Sequence, residues 1–196
     1  MPHGFIDASH ALERLGELHD DWPIAPLWMP AVRTSDAHRV VFGRDEHPGL
    51  GAAIAASCAI PLLLRPVRIG DHHYIDGGAH SPTNADLLVD ADVDVAIVIA
   101  PMSARPEALR RRPDHAIRAA FARRLRTETQ QLAHAGIDVH VFEPDTAGLD
   151  ALGINPIARA RIARVVPHAF LATGAQITPA LATTLRAESR SCVAPS

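Results

Sequence analysis

The pattern of apolar and polar positions predicts short paired strands in the first half of the chain. Residues 26–33 and 39–43 are strand-like and lie on either side of a polar turn, which is typical of a hairpin. Residues 65–69 and 72–75 flank Gly70-Asp71, and a two-residue Gly-Asp connection favours a second, tight hairpin. Alternation along its second strand puts Tyr74 and Asp76 on the same face.

Helical spacing and continuous apolar runs predict a different organisation further along. Residues 94–100 and 137–142 are rich in β-branched residues, and the first of these runs is typical of a strand buried on both faces. A long helix between them, ending at Gly136, gives the order strand, helix, strand. The other predicted helices cover residues 7–19, 49–61, 81–88 (capped by Ser81) and 155–190 (with breaks near Gly174 and Pro179).

These elements predict an α/β fold, with a mixed, mostly parallel sheet flanked by helices. The chain has 196 residues, of which 47% are hydrophobic, enough for one ordinary core. We therefore expect a single domain over residues 1–190 and a frayed tail at 191–196. No linker or internal repeat divides the sequence.

Composition excludes some classes of partner and places the chain in a cell compartment. The formal net charge of −3 gives no reason to expect a nucleic-acid partner. The two cysteines, Cys58 and Cys192, are not in a metal-binding spacing, and the N-terminus lacks the pattern of a signal peptide. We expect a reduced, cytoplasmic protein without a cofactor.

The most unusual stretch is Asp76-Gly77-Gly78, which directly follows the second strand of the second hairpin. Two residues without a Cβ allow another backbone or a ligand to approach the Asp76 carboxylate closely. In a structural interpretation, the acid only accepts backbone N–H bonds at a turn. In a functional interpretation, it is part of an active site.

Other residues offer weaker alternatives. Asp71, His72 and His73 suggest a metal-dependent hydrolase, but adjacent strand residues point to opposite faces, so the two histidines do not chelate one ion from a regular strand. Ser57 and Cys58 are candidate nucleophiles in an Ala-rich helix, where small polar residues more often serve close packing.

Arginines cluster around the long helix, where they either bind anionic lipid head groups at a membrane surface or form a solvated helix face balanced by Asp114 and Glu128. The cluster consists of Arg105, Arg110, Arg111, Arg112, Arg118, Arg123, Arg124 and Arg126.

Four ordered motifs resemble the patatin-like phospholipase (acylhydrolase) family. They are residues 55–61 (AASCAIP), 66–68 (PVR), 74–78 (YIDGG) and 81–86 (SPTNAD). The resemblance extends over nearly the whole chain and includes residues 151–155 (ALGIN).

The resemblance implies a lipid acyl hydrolase, a phospholipase or esterase of lipid degradation, that uses a Ser-Asp dyad. Asp76 would be its aspartate, paired directly with a serine on a G-x-S-x-G elbow, with an oxyanion hole of backbone N–H groups. None of the twelve glycines in the chain form such an elbow. The chain therefore resembles the C-terminal part of a patatin domain, with the acid but not the serine.

The lack of a G-x-S-x-G elbow has consequences for the activity and for the partners of the chain. The isolated chain is expected to be inactive towards lipid or acyl-ester substrates. A serine-bearing N-terminal segment or self-association would cover the surface that the absent strand leaves exposed. The alternatives are a non-catalytic remnant that acts in binding or assembly, and the metal-dependent hydrolase based on Asp71, His72 and His73.

Overall fold

A computed structural model describes residues 21–109, 112–154 and 158–191. The chain divides into two compact units, Met1–Ala91 and Asp92–Ser196. Both contain helices and strands, and one contains parallel strands, so the predicted α/β class is confirmed. The predicted helix at residues 7–19 lies outside the described residues, and the single domain over residues 1–190 stays a prediction.

The first unit is built on a four-stranded antiparallel sheet. Its strands are β1 (Met29–Arg33), β2 (Arg39–Phe42), β3 (Val67–Ile69) and β4 (His72–Asp76), in the order β2-β1-β4-β3. Both predicted hairpins are present, because short turns join β1 to β2 and β3 to β4 and force antiparallel pairing.

Helix α1 (Leu50–Ser57) packs against this sheet. Ala53 and Ala56 of α1 are fully buried, and their small side chains let the helix approach the strands closely. Phe42 and Tyr74 meet edge to face beneath it, with ring centroids 5.1 Å apart. This core holds β4 in place up to its last residue, Asp76.

The second unit contains a parallel pair, β5 (Val95–Ile99) and β6 (Asp138–Phe142), joined through the long helix α2 (His115–His134). Helices α3 (Thr146–Leu152), α4 (Ile162–Gln176) and α5 (Pro179–Ser191) follow. The predicted stop at Gly136 is confirmed by its φ of 86°, a conformation that favours glycine. The predicted breaks near Gly174 and Pro179 correspond to the junction of α4 and α5.

The prediction that β5 is buried on both faces is wrong for the described residues. Ala96 and Val98 are buried, whereas Ile97 and Ile99 are 45% and 72% exposed. Within the described part of the chain, β6 is the only strand beside β5. One face of β5 therefore presents apolar side chains to solvent.

The arginine cluster is partly neutralised, as the solvated-face interpretation predicts. Arg118 is buried and donates to Asp114 at 2.6 Å, and Asp114 also accepts from Arg112 at 3.1 Å. On another part of α2, Arg124 donates to the buried Glu128 at 2.9 Å.

None of the helices in the described residues has the length and apolar character needed to cross a membrane.

Candidate active site

The Asp76 backbone is fixed on both sides by the first unit's sheet and helix. Asp76 ends β4, where it lies opposite Ala31 of the central strand β1. Its N–H donates to the carbonyl of Ala59, just beyond α1, at 3.0 Å. The strand therefore delivers the acid to a defined position, as alternation along β4 predicts.

The Asp76 side chain is half-buried and engages one hydrogen-bond donor among the described residues. Its Oδ1 accepts from the Gly78 N–H at 2.7 Å, so Asp76 caps the short 3₁₀ helix Gly77–Ala79. Burial raises the pKa of Asp76, and the Gly78 hydrogen bond only partly offsets that rise. No cation in the described residues lies within salt-bridge distance of it. The carboxylate is thus more basic than an ordinary one.

The two glycines have different steric reasons to be there. A Cβ on Gly77 would lie 2.3 Å from the Pro30 carbonyl oxygen, so only glycine fits against β1. A Cβ on Gly78 would lie 3.0 Å from Asp76 Oδ1, within the hydrogen bond that the carboxylate accepts. The glycines therefore let the chain turn tightly around the acid.

The segment after the glycines corrects one prediction. Ser81 does not cap a helix that starts at Pro82, because Asn84 adopts a left-handed conformation (φ 48°) and a 3₁₀ helix begins only at Ala85. The Ser81 hydroxyl still accepts from the Asn84 N–H at 3.2 Å, so it stabilises a turn. His80 N–H donates to the Gly77 carbonyl as part of the same turn.

Sequence reasoning missed a polar network that holds this turn to β2. Arg39 forms a bidentate ion pair with Asp86 (both distances 2.8 Å) and donates to Asn84 Oδ1 at 3.1 Å. Asn84 Nδ2 in turn donates to the Gly77 carbonyl at 3.2 Å. The network therefore links the sheet to the backbone beside Asp76. Its only sequence signal was the presence of Asn84 and Asp86 in the last of the four motifs.

The two candidate nucleophiles of the sequence are not set up to attack. Ser57 Oγ donates to the Pro30 carbonyl at 2.9 Å, as expected for a packing role. Cys58 is exposed at the end of α1, but partial desolvation and the negative charge of Asp76 raise the pKa of its thiol. The thiolate is therefore disfavoured.

The metal alternative gains no support from the geometry. The Asp71 side chain is 98% exposed at the hairpin tip, and His72 and His73 are exposed on neighbouring positions of β4. Across the described residues, no three His, Cys, Asp or Glu side chains come together as a metal site.

Replacing Asp76 by Asn is expected to leave the first unit as stable as before, or more stable, at neutral pH. The raised pKa means that the ionised carboxylate opposes folding above its folded-state pKa. This destabilisation disappears as the pH falls towards the pKa of the unfolded chain. The stability gap between variant and parent should therefore shrink as the solution is acidified. The difference in unfolding free energy is measured at each pH by urea unfolding, monitored through the fluorescence of Trp22 and Trp28, which both lie in this unit.

Asp71→Asn is the matched control, because it makes the same change at an acid of the same unit whose side chain is 98% exposed, and it should leave the stability close to that of the parent. If the ionised Asp76 carboxylate stabilised the fold instead, Asp76→Asn would be less stable than the parent at neutral pH, and the loss would vanish in acid.

Comparison with known families agrees with the motifs. Residues 2–89 match the family model of the patatin-like phospholipases. The matched segment includes all four strands of the first unit and Asp76-Gly77-Gly78. No curated protein matches the chain. The resemblance expected for residues 151–155 lies beyond the matched segment and stays a prediction.

Proposed function

Because residues 2–89 are similar to the patatin-like phospholipases, we propose that this chain carries the catalytic aspartate of a lipid acyl hydrolase. In this proposal Asp76 pairs with a serine that these 196 residues do not place on a G-x-S-x-G elbow. The substrate is an acyl ester of a lipid. The proposal depends on one observation. The Asp76 carboxylate is half-buried, its pKa is raised, and it has no cationic partner in the described residues.

Asp76 acts as the general base in this mechanism. Its carboxylate accepts the serine proton while the serine oxygen attacks the ester carbonyl, and the proton passes to the leaving alcohol as the acyl-enzyme forms. Water then attacks the acyl-enzyme and gives a proton to Asp76, which passes it to the serine oxygen as the acyl–oxygen bond breaks, so the fatty acid leaves and the serine hydroxyl is regenerated. A base of raised pKa performs both steps better than an ordinary carboxylate.

The hydrogen bond from Gly78 suits this role. It occupies Oδ1 and orients the carboxyl plane, and Oδ2 accepts no hydrogen bond from the described residues. The serine would approach Oδ2. Gly78 leaves room for that approach, because a Cβ at this position would lie 3.0 Å from the carboxylate.

The exposed apolar face of β5 supports a complementing segment or self-association. Ile97 and Ile99 lie exposed on a strand that has one strand neighbour in the described residues. The other edge of β5 can accept a further strand, and the segment that supplies this strand would also have to cover the exposed face. The lack of an elbow equally favours a second candidate function, in which the chain has no catalytic role and acts in binding or assembly.

The isolated chain is expected to show no hydrolysis of p-nitrophenyl butyrate above the buffer rate, because the aspartate alone supplies no nucleophile. Spectrophotometric release of p-nitrophenol measures this. Turnover that disappears in Asp76→Ala would show that a nucleophile is present after all, and would overturn the expectation.

A further inference from the structure

A cavity of about 480 Å³ lies in the second unit, between α2 and the 3₁₀ helix Pro106–Leu109. Its floor is apolar: Ala104, Leu109 and Ala122 are buried, and Ala119 is half-buried beside them. The alanines create the hollow, since larger side chains at these positions would fill it. The volume is within the range of small-molecule sites, about 300–1,000 Å³.

Two arginines lie at the edge of this cavity, next to a histidine. His115, Arg123 and Arg126 line it and are exposed. Their spacing along α2 puts them on the same helix face as the two floor alanines. Two guanidinium groups one turn apart thus border an apolar floor.

Two acids near α2 already pair with other arginines. Asp114 accepts from both Arg112 and Arg118, and Asp150 accepts from Arg112 at 2.9 Å. By contrast, neither Arg123 nor Arg126 forms an ion pair with any described residue. Glu107, on the 3₁₀ helix opposite, is exposed and does not line the cavity, so the cavity edge keeps two arginines without an ion-pair partner in the described residues.

We propose that this cavity binds an amphiphilic anion, with a carboxylate or phosphate head group on an apolar chain. The head group pairs with Arg123 and Arg126, whose planar forks match either anion, and the apolar chain lies against the alanine floor. A concave site with an apolar floor favours a single molecule over a flat membrane surface. The proposal goes beyond the acyl hydrolase function and does not depend on Asp76.

Calorimetric titration of the full chain with laurate and with monododecyl phosphate, each below its critical micelle concentration, tests this inference. Uncharged monolaurin and inorganic phosphate are the comparison probes. Monolaurin keeps the apolar chain without the charge, and inorganic phosphate keeps the charge without the chain. We expect laurate, monododecyl phosphate or both to bind, and both comparison probes to bind at least about tenfold more weakly.

The double variant Arg123→Gln/Arg126→Gln is expected to weaken binding at least about tenfold, because two charge-assisted contacts are lost. Arg159→Gln/Arg164→Gln is the matched control. It removes two other exposed arginines that form no ion pair within the described residues, and it should bind as the parent does. Asp76→Asn should also bind normally, which separates this site from the proposed catalytic one.

Loss of laurate or monododecyl phosphate binding in the cavity variant alone supports the site and identifies its head group. Equal binding by the parent and the cavity variant would overturn it. Equally tight binding of monolaurin or of inorganic phosphate would also overturn it, as would binding of no probe.

Discussion

Replacing Asp114 by Asn is expected to lower the free energy of unfolding of the second unit by about 3 kcal/mol. Arg118 has a side chain that is only 3% exposed, and its Nε donates to Asp114 Oδ2 at 2.6 Å. The variant leaves this buried guanidinium without its counter-charge and puts an amide N–H group beside one of its two arginines. This value is at the low end of the loss of about 3–5 kcal/mol that follows when one partner of a buried ion pair is removed, because Asp114 keeps some contact with solvent.

The loss should depend on pH in a defined direction. Burial alone would raise the pKa of Asp114, but the hydrogen bonds from Arg118 and Arg112 outweigh burial and lower it. A lowered pKa means that the stabilisation is complete above the unfolded-state pKa and is lost as the pH falls through the folded-state pKa. The gap between parent and variant should therefore be largest near neutral pH and close in acid.

Urea unfolding followed by circular dichroism at 222 nm measures this loss, since α2 to α5 all lie in the second unit. Asp150→Asn is the matched control: Asp150 also pairs with Arg112, but its side chain is 70% exposed, so the expected loss is below about 1 kcal/mol. If both variants lost the same free energy of unfolding, the claim that Asp114 stabilises the fold as the counter-charge of the buried Arg118 would be wrong.

The local features of the first unit could be predicted from the sequence. A polar turn and a Gly-Asp connection predicted both hairpins, because short connections leave antiparallel pairing as the simplest outcome. The second strand of the second hairpin leads directly into Asp76, alternation puts Asp76 on the same face as Tyr74, and the following glycines indicate a close backbone approach. In the structure that neighbour is the carbonyl of Pro30.

Features that depend on distant residues could not be predicted in the same way. The pair between Arg39 and Asp86 joins residues 47 positions apart, and no local pattern indicates it. Ser81-Pro82 is a normal helix start, but the left-handed conformation of Asn84, held by its contacts with Gly77 and Arg39, prevents that start. Tertiary contacts therefore overrode local propensity.

Tertiary contacts also explain why the prediction of burial on both faces of β5 is wrong. Its composition is typical of a strand with covered faces, but coverage is a property of the neighbours and not of the strand. In the described part of the chain these neighbours leave Ile97 and Ile99 exposed. The proposed complementing segment would cover these two side chains.

Supplying the serine should make the aspartate indispensable. In a fusion that joins the serine-bearing segment of a patatin-like phospholipase ahead of Met1, Asp76→Asn is expected to lower kcat by about 10²- to 10⁴-fold, the contribution of a positioned general base. The asparagine can still accept the Gly78 hydrogen bond but cannot take the serine proton. The loss should therefore occur without unfolding.

The kcat of this fusion for p-nitrophenyl butyrate, compared between the parent and Asp76→Asn, tests the central claim most directly. Asp71→Asn is the control and should keep the parent rate, because its side chain is 98% exposed at the hairpin tip. Replacing the supplied serine by Ala should reduce the rate at least as much as Asp76→Asn does, and combining the two changes should reduce it no further than the serine change alone. A folded fusion that hydrolyses the ester equally well with Asn at position 76 would contradict the assignment of Asp76 as the base.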